Sequence, residues 1–555
     1  MSAVVPPRRR GIRLSFWSIV SIVALAILLI FLVFPLVRLI GASFFSGDMD
    51  RVWKAYSDMV TKAYYREALL NSVLLTVAAT VIATTLGTTV AYLLARFRVG
   101  GKLIVRALIV LTFVSPPFIG AYSWILLFGR SGFVTQAFSR IGIELPSIYG
   151  WTGTIIVLGL QATPLVYLMV SSGFRTVDQS VEDASINLGY SHWKTFWTVT
   201  MPLMKPAIST GAMLAAVTAF TDIGTPAIIG QNLRVMPRLI YQEFVSETGT
   251  DYQVASALSV VLLLFTIGIL LFQRYYSRRH SYGHETSKPL ELRESRGWGI
   301  FGVNLTVWVV VLVTALPILM VVLSSVLKNK GGAFVFEFTL DSWKHAPQLW
   351  SSLGNTLFLT TAATLICVAI GTLIAYLTTR RPTMLNGFID FLSMMPYAVA
   401  GVVMAIAISI TFGSAPLFLA GSFTILIIVY VVRRLPFSVR SSAAMLAQTG
   451  DQTEEASVNL GVPPWKTFFK VTVPIIMPAI LSGALLTWTT LVREFNATVI
   501  LYGAKTGTMS VEIFRHVLVG DFATASVLGT VLLLVSSVPI IILFRFLGKD
   551  EEFLS

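Results

Sequence analysis

The sequence predicts an all-α polytopic membrane protein with about twelve transmembrane helices, arranged as two parallel six-helix repeats. Composition is the first observation that predicts this class. The 555 residues are 55% hydrophobic and only 12% charged, and their mean hydropathy is +0.78. Soluble domains carry roughly twice that charged fraction. The second and third observations are long charge-free runs and an internal duplication.

The charge-free runs set the number of helices. A membrane-spanning helix needs roughly 20 apolar residues. The run 391–432 is long enough for two helices and breaks at TFGSAP, and the run 206–230 is interrupted only by Asp222. With these, we count twelve spans. The remaining runs without Lys, Arg, Asp or Glu are 14–37, 68–95, 107–129, 145–174, 252–273, 297–327, 345–379, 471–492 and 522–544.

The positive charge predicts topology rather than a nucleic-acid partner. The net charge is +14, and the basic residues cluster near the N-terminus and at 95–106, 274–280, 379–381 and 432–440. Twelve alternating spans place all these clusters on one side. Lys and Arg are retained in cytoplasmic loops. We therefore expect both termini in the cytoplasm, with the first apolar run as a span rather than a cleaved signal peptide.

The chain contains two copies of one unit. Asn71, Gly87, Tyr92 and Arg96 recur as Asn355, Gly371, Tyr376 and Arg380, and residues 182–208 match 454–480 at 16 of 27 positions. The predicted division is a first repeat at 1–277, a polar cytoplasmic linker at 278–298 and a second repeat at 299–555. We interpret His280 and His284 as part of a solvated linker rather than a metal site. Six spans per repeat make the repeats parallel.

One duplicated phrase stands between spans. EDASINLG at 182–189 returns as EEASVNLG at 454–461. Acidic residues suit a helix N-terminus, glycine is a common helix terminator, and proline suits the first turn of a following helix. Each phrase therefore predicts a helix, a glycine turn and a second helix. The two readings are a docking element that meets a similar partner twice and an ordinary loop copied by gene duplication.

The phrase, followed by Trp-Lys-Thr-Phe and a proline before the next span, resembles the EAA loop of ABC importer permeases of the binding-protein-dependent type. The resemblance covers both halves and implies a fused type I importer permease, with loops near 175–206 and 444–478. It implies that the loops couple the chain to two copies of a separate ABC ATPase on the cytoplasmic side. The implied coupling residues are Glu182, Ala184, Gly189, Glu454, Ala456 and Gly461.

The same resemblance implies further partners and a location. A periplasmic substrate-binding protein would deliver the cargo, and the chain would lie among the lipids of a bacterial inner membrane. The chain has no G-x-x-x-x-G-K-[ST] phosphate loop, so we expect a transport subunit rather than an enzyme. ATP and magnesium would be bound by the partner ATPase, and no cofactor, metal or nucleic acid is expected on this chain.

Cargo remains open between several classes. Fused permeases of this length resemble iron(III) importers most, so iron(III) is the first expectation. The alternatives are polyamine, thiamine, aminoethylphosphonate or sugar phosphate import. A secondary transporter driven by an ion gradient is the rival class.

Intramembrane charges are the candidate translocation-path residues. Asp222 and Glu494 are repeat equivalents at the offset of the duplicated phrase, and Arg493 precedes Glu494. Charged groups inside membrane helices mark functional sites by default. Two readings stay open: the acids line a cation-friendly route, or they cap broken helices and pair with Arg493 or a hydroxyl. Arg515 and His516, on the predicted outer side, are weaker candidates for contact with a binding protein.

Overall fold

The structure, a computed structural model, describes residues 16–44, 49–174, 177–245, 252–279, 292, 298–330, 333–346 and 348–547. The predicted linker 278–298, with His280 and His284, therefore lies almost entirely outside the described residues. Two long helices of the first half carry a π turn, at Leu29–Val33 and Phe196–Thr200. The helices of this half are Phe16–Leu28, Phe34–Phe44, Met49–Thr61, Ala63–Arg96, Lys102–Val114, Pro117–Phe128, Phe133–Ser139, Trp151–Phe174, Gln179–Asn187, His192–Thr195, Met201–Thr221, Gly224–Ile228, Met236–Val245 and Tyr252–Arg279.

The second half repeats this order. It also has a short 3₁₀ turn at Met395–Ala398, a π turn at Phe468–Thr472 and an antiparallel hairpin of strands Leu327–Lys330 and Ala333–Phe338. The hairpin is a small departure from the all-α prediction. The helices are Trp298–Ser324, Asp341–Lys344, Leu349–Arg380, Met384–Met394, Gly401–Phe412, Phe423–Gln448, Gln452–Asn459, Pro464–Thr467, Val473–Val492, Thr498–Leu501, Met509–Leu518 and Phe522–Leu547.

The number of candidate spans is close to the predicted twelve. Among the described residues, nine helices are long and apolar enough to cross a membrane, and two bent helix pairs raise the number to 11. The pair Met384–Ala398 and Gly401–Phe412 bends by 112°. The remaining predicted span corresponds to Phe423–Gln448, which has 26 residues. This helix differs from the others in carrying three arginines, Arg433, Arg434 and Arg440, within its first 18 residues.

The two halves are joined by exchange of their first helices, which the sequence did not predict. Trp17 of the first helix packs on Tyr376 and Phe468 of the second half, with ring centroids 4.6 Å and 5.6 Å away. In return, Trp308 of the second half donates its indole N–H to the carbonyl of Gly100, 3.1 Å away. Each half therefore buries the first helix of the other.

Glycine allows a close helix contact at equivalent positions of the two halves. A Cβ atom at Gly87 would lie 2.8 Å from Cβ of Val166 and 2.9 Å from the carbonyl oxygen of Thr163. A Cβ atom at the equivalent Gly371 would lie 2.6 Å from Cβ of Ser438. Small residues let membrane helices approach closely and pack by van der Waals contact. These paired glycines hold the long helices Ala63–Arg96 and Leu349–Arg380 against their neighbours.

Candidate functional site

Both duplicated phrases form the predicted helix–glycine–helix unit. We call Gln179–Asn187 and Gln452–Asn459 the first and second loop helices. Gly189 and Gly461 end them at φ angles of +87° and +84°. This left-handed conformation is readily adopted by glycine and costs other residues free energy. The prediction of glycine terminators is confirmed. Beyond each turn the second helix continues without interruption into the next span.

Each loop helix is also fastened to the helix that follows it by a hydroxyl pair. The hydroxyl oxygens of Ser185 and Thr195 lie 2.9 Å apart, and those of Ser457 and Thr467 lie at the same distance. The amide of Tyr190 donates to the carbonyl of Ser185 at 3.2 Å, which closes the glycine turn. The same hydroxyl contact therefore ties the two helices of the unit together in both halves.

The glutamate that both phrases share points into the protein. Glu182 is 0% exposed and forms an ion pair with Arg96, which is 1% exposed. The Thr200 hydroxyl donates to Glu182 at 2.5 Å. A direct contact between Glu182 and a partner protein is excluded in this conformation. Glu182 instead attaches the first loop helix to the end of helix Ala63–Arg96.

The second half repeats this anchor in a looser form. Nε of Arg380 lies 3.3 Å from Glu454, and the two side chains are 14% and 13% exposed. Tyr376 donates its hydroxyl to Glu454 at 3.2 Å, and Arg380 also donates to the Thr449 carbonyl at 2.6 Å. The ion pair is therefore formed in both halves: it is inaccessible to water in the first half and partly accessible in the second.

The surface of each unit carries exposed apolar side chains. Leu188 is 79% exposed and Leu460 is 85% exposed, and Trp193 and Trp465 are exposed beside them. Leu188 therefore does not pack within the chain. Exposed apolar groups that cluster on a rigid element mark interaction sites. Ala184 and Ala456 lie on the loop helices themselves, in the middle of the same two units.

Asp222 and Glu494 each stand at a break in a helix. Asp222 accepts a hydrogen bond from the backbone N–H of Thr225 at 3.1 Å, and Glu494 accepts one from that of Ala497 at 3.2 Å. The two breaks meet, because the N–H of Ile223 donates to the Asn496 side chain at 3.4 Å. The structure thus shows the capping reading for both acids and brings the breaks together where the halves join.

Glu494 is neutralised by two arginines that the sequence reading missed. It lies 2.5 Å from Arg433 and 2.7 Å from Arg434. Arg493, the partner proposed from the sequence, instead donates to the Phe113 carbonyl and lies 4.9 Å from the centre of the Phe113 ring. We call Arg433, Arg434 and Arg493, with Glu494, the arginine cluster.

One sequence expectation is corrected by this cluster. The segment 432–440 was placed in a cytoplasmic loop, but Arg433 and Arg434 lie near the middle of helix Phe423–Gln448. The three arginines and one glutamate have a formal charge of 3 − 1 = +2, which does not favour a cation, and a translocation role for these residues stays a prediction. Asp222 is buried and forms no ion pair among the described residues.

The candidate outer residues make local contacts. Arg515 lies 2.7 Å from Glu512, and Nδ1 of His516 lies 3.0 Å from Asp521. Arg515 is half exposed, whereas His516 is largely covered. Contact with a binding protein at these residues stays a prediction.

The family follows from matches in both halves. The family described as "Binding-protein-dependent transport system inner membrane component" matches residues 83–282 and again 367–551. The chain belongs to this family. Both loop helices, both helix breaks and the arginine cluster lie within the matched ranges, so this inner membrane component carries the family unit twice in one chain. The prediction of a fused two-domain permease is confirmed.

Several relatives share most of the chain. The Fe(3+)-transport system permease protein FbpB 2 of Haemophilus influenzae is 27% identical over 87% of this chain and 90% of that protein. The ferric transport system permease protein FbpB of Actinobacillus pleuropneumoniae is 27% identical over 80% of this chain and 65% of that protein. The molybdenum transport system permease protein ModB of Haemophilus influenzae is 28% identical over 33% of this chain and 80% of that protein.

A solved structure also resembles part of this inner membrane component. A bacterial alginate ABC transporter in complex with an alginate pentasaccharide-bound periplasmic protein aligns with a TM-score of 0.39 and 18% identity, over 47% of this chain and 94% of that chain.

Proposed function

We propose that this chain is the two-domain membrane permease of an ATP-driven importer for iron(III). Two separate ABC ATPase subunits bind the two loop helices on the cytoplasmic side, and a periplasmic binding protein delivers the cargo. Both termini lie in the cytoplasm. Family membership establishes the importer class, and this replaces the alternative of a secondary transporter driven by an ion gradient. ATP and magnesium are held by the partner ATPase.

The duplicated loop unit carries the coupling part of the proposal. Each loop helix is fixed in its first turn by a carboxylate–guanidinium contact, and an exposed leucine follows its last residue. A rigid, apolar projection that is attached to a long membrane helix transmits the movement of a bound ATPase subunit to that helix. Two such projections per chain support a ratio of one permease to two ATPase subunits.

Relatives support iron(III) as the cargo. Proteins named as ferric transport permeases align with both halves of this chain. The experiment is uptake of radioactive iron(III) by cells that depend on this chain together with its ATPase and binding protein. Uptake that needs all three components supports the proposal. Uptake that persists without the ATPase contradicts it.

The loop glycines test the docking assignment. The double variant Gly189→Val and Gly461→Val is expected to lose co-purification of the ATPase while still inserting in the membrane. Gly142→Val is the matched control, because Gly142 also has a positive φ of +78° and has nothing within 4 Å of a new Cβ atom, as at both loop glycines. Normal co-purification from the double variant would refute docking at the loop helices.

A free oxyanion is a second candidate cargo. The arginine cluster favours it, because its net positive charge suits an anion and opposes a polyamine. Proteins named for molybdenum and sulfate transport align with about one third of this chain, for example over 33% for each of two such relatives. Uptake of molybdate and sulfate in the same cells separates this candidate from iron(III).

A further inference from the structure

The arginine cluster carries more positive charge than the described residues in contact with it neutralise. Glu494 is the carboxylate that contacts Arg433 and Arg434, and it has a single negative charge. Arg493 is held by the carbonyl and ring of Phe113, which supply no full charge. Guanidinium groups stay protonated in proteins. Charges inside membrane proteins are costly unless they are paired.

A helix N-terminus adds to this positive field. Helix Gly401–Phe412 has 12 residues, and its N-cap residue, Ala400, makes no side-chain hydrogen bond. Within the described part of the chain, the first N–H groups, at 401–403, have no acceptor. The Arg433 guanidinium lies against this end, 2.9 Å from where a Cβ atom of Gly401 would be. Broken helices of transporters direct such ends at anionic groups of their substrates.

The first half builds the same break without these charges. At the offset of 272, Gln161, Ala162 and Thr221 stand where the second half has Arg433, Arg434 and Arg493. Asp222 caps its break at 3.1 Å without an arginine. The three arginines are therefore not needed to form a helix break of this type. Their presence in one half calls for a role other than architecture.

We propose that the arginine cluster binds an oxyanion as part of the transport route. The oxyanion comes either as a free ion or as a ligand of the transported ferric ion, and the second source rests on the proposed function. A carboxylate, carbonate or phosphate presents oxygen pairs that match the guanidinium fork. A bare trivalent cation is repelled by the same charges, so iron(III) passes here in company with an anion.

The experiment measures binding of inorganic phosphate and of ferric citrate to the full chain in lipid nanodiscs. The test variant combines Arg433→Gln, Arg434→Ala and Arg493→Thr, which rewrites the cluster with the residues of the first half. Arg440→Gln is the matched control on the same helix, since Arg440 is exposed and paired with Asp390 at 3.4 Å. We expect saturable binding that falls roughly tenfold per lost guanidinium in the test variant and is unchanged in the control.

A second variant tests the site in the opposite direction, because misfolding cannot produce the gain in binding that it is expected to show. Glu494→Gln raises the formal charge of the cluster from +2 to +3 (+2 + 1). It is therefore expected to bind the probe several-fold more tightly and to gain more thermal stability from phosphate than the unaltered chain does. A Glu494→Gln chain that is folded and binds no better overturns the proposal.

The outcomes separate the two sources and the two proposals. Binding of phosphate alone assigns a free oxyanion, and binding of ferric citrate alone assigns an anion carried on iron. Iron uptake by cells with no saturable binding of either probe refutes the anion site and leaves the iron importer intact. Phosphate binding without iron uptake refutes the iron cargo and leaves the site intact.

Discussion

The buried anchor of the first loop helix gives a quantitative prediction for Glu182→Gln. This substitution removes the negative charge that touches the Arg96 guanidinium, while the shape of the side chain is kept. Both partners are almost fully inaccessible, at 1% and 0% exposed. Breaking a buried ion pair from one side costs about 3–5 kcal/mol. At 1.4 kcal/mol per factor of ten, the ratio of the first loop helix in its anchored position to the detached loop helix falls by roughly 10²–10⁴.

The second half supplies the matched comparison, Glu454→Gln. Arg380 is 14% exposed and keeps the Thr449 and Gly450 carbonyls, at 2.6 Å and 3.1 Å. Water reaches this pair and Arg380 keeps two other acceptors, so loss of the Glu454 charge costs less than it would in a fully buried pair. We therefore expect Glu454→Gln to lower the population of the second loop helix in its anchored position by a smaller factor than Glu182→Gln lowers that of the first.

The assay is titration of the purified ATPase against each variant in nanodiscs, together with the thermal midpoint of the permease. Glu182→Gln should clearly lower both the affinity for the ATPase and the thermal midpoint, and Glu454→Gln should lower them only slightly. The double variant Arg96→Met with Glu182→Leu is expected to recover much of the thermal midpoint, because an apolar pair of similar volume replaces a buried ion pair at little cost.

Two results would refute this reasoning. Equal effects of the two glutamine variants would show that burial does not set the strength of the anchors. A double variant as unstable as the sum of its single variants would show that Arg96 and Glu182 do not interact energetically.

The remaining predictions concern packing and the helix breaks. Gly371→Leu should destabilise the fold by about 1–3 kcal/mol or more, because its Cβ atom would lie 2.6 Å from Cβ of Ser438. The control is Gly354→Leu on the same helix, which should leave the thermal midpoint unchanged because a Cβ atom there meets nothing within 4 Å. Trp17→Ala should lower the thermal midpoint in line with a loss of about 3–5 kcal/mol, since it empties the contact with Tyr376 and Phe468, and an unchanged midpoint would contradict the helix exchange. Asp222→Asn should transport almost normally, because asparagine caps helices as well as aspartate does. Glu494→Gln should lose transport, because it leaves two arginines unneutralised. A larger loss of transport in Asp222→Asn than in Glu494→Gln would contradict the capping role.

Periodic and repeated features were predictable from the sequence. Span length follows from apolar runs, and the glycine turns follow from the duplicated phrase, because glycine tolerates the φ values of +87° and +84° found there. The division into two units follows from repeat offsets alone. These features depend on neighbours within a few residues or on identity between copies.

Contacts between distant segments were not predictable in the same way. Rules for membrane topology assign Arg433 and Arg434 to a cytoplasmic loop, since they count basic residues and do not see a buried carboxylate 60 residues further on. One signal was available: Pro164 and Pro436 align the two helices and place arginines opposite Gln161 and Ala162. Arg96 and Arg380 occupy equivalent positions in the two repeats, yet only the fold shows that each forms an ion pair with a loop glutamate.

The two halves diverge in a way that separates the two tasks of the chain. Loop units keep the glycine, the glutamate–arginine anchor and a 2.9 Å hydroxyl pair in both copies. Helix breaks keep the capping acid but carry arginines in one copy only. On the proposed function, two identical ATPase subunits need two equal docking units, which agrees with the equal anchoring of the two loop units. On the proposed anion site, a single cargo needs one binding site, which agrees with arginines in one copy only.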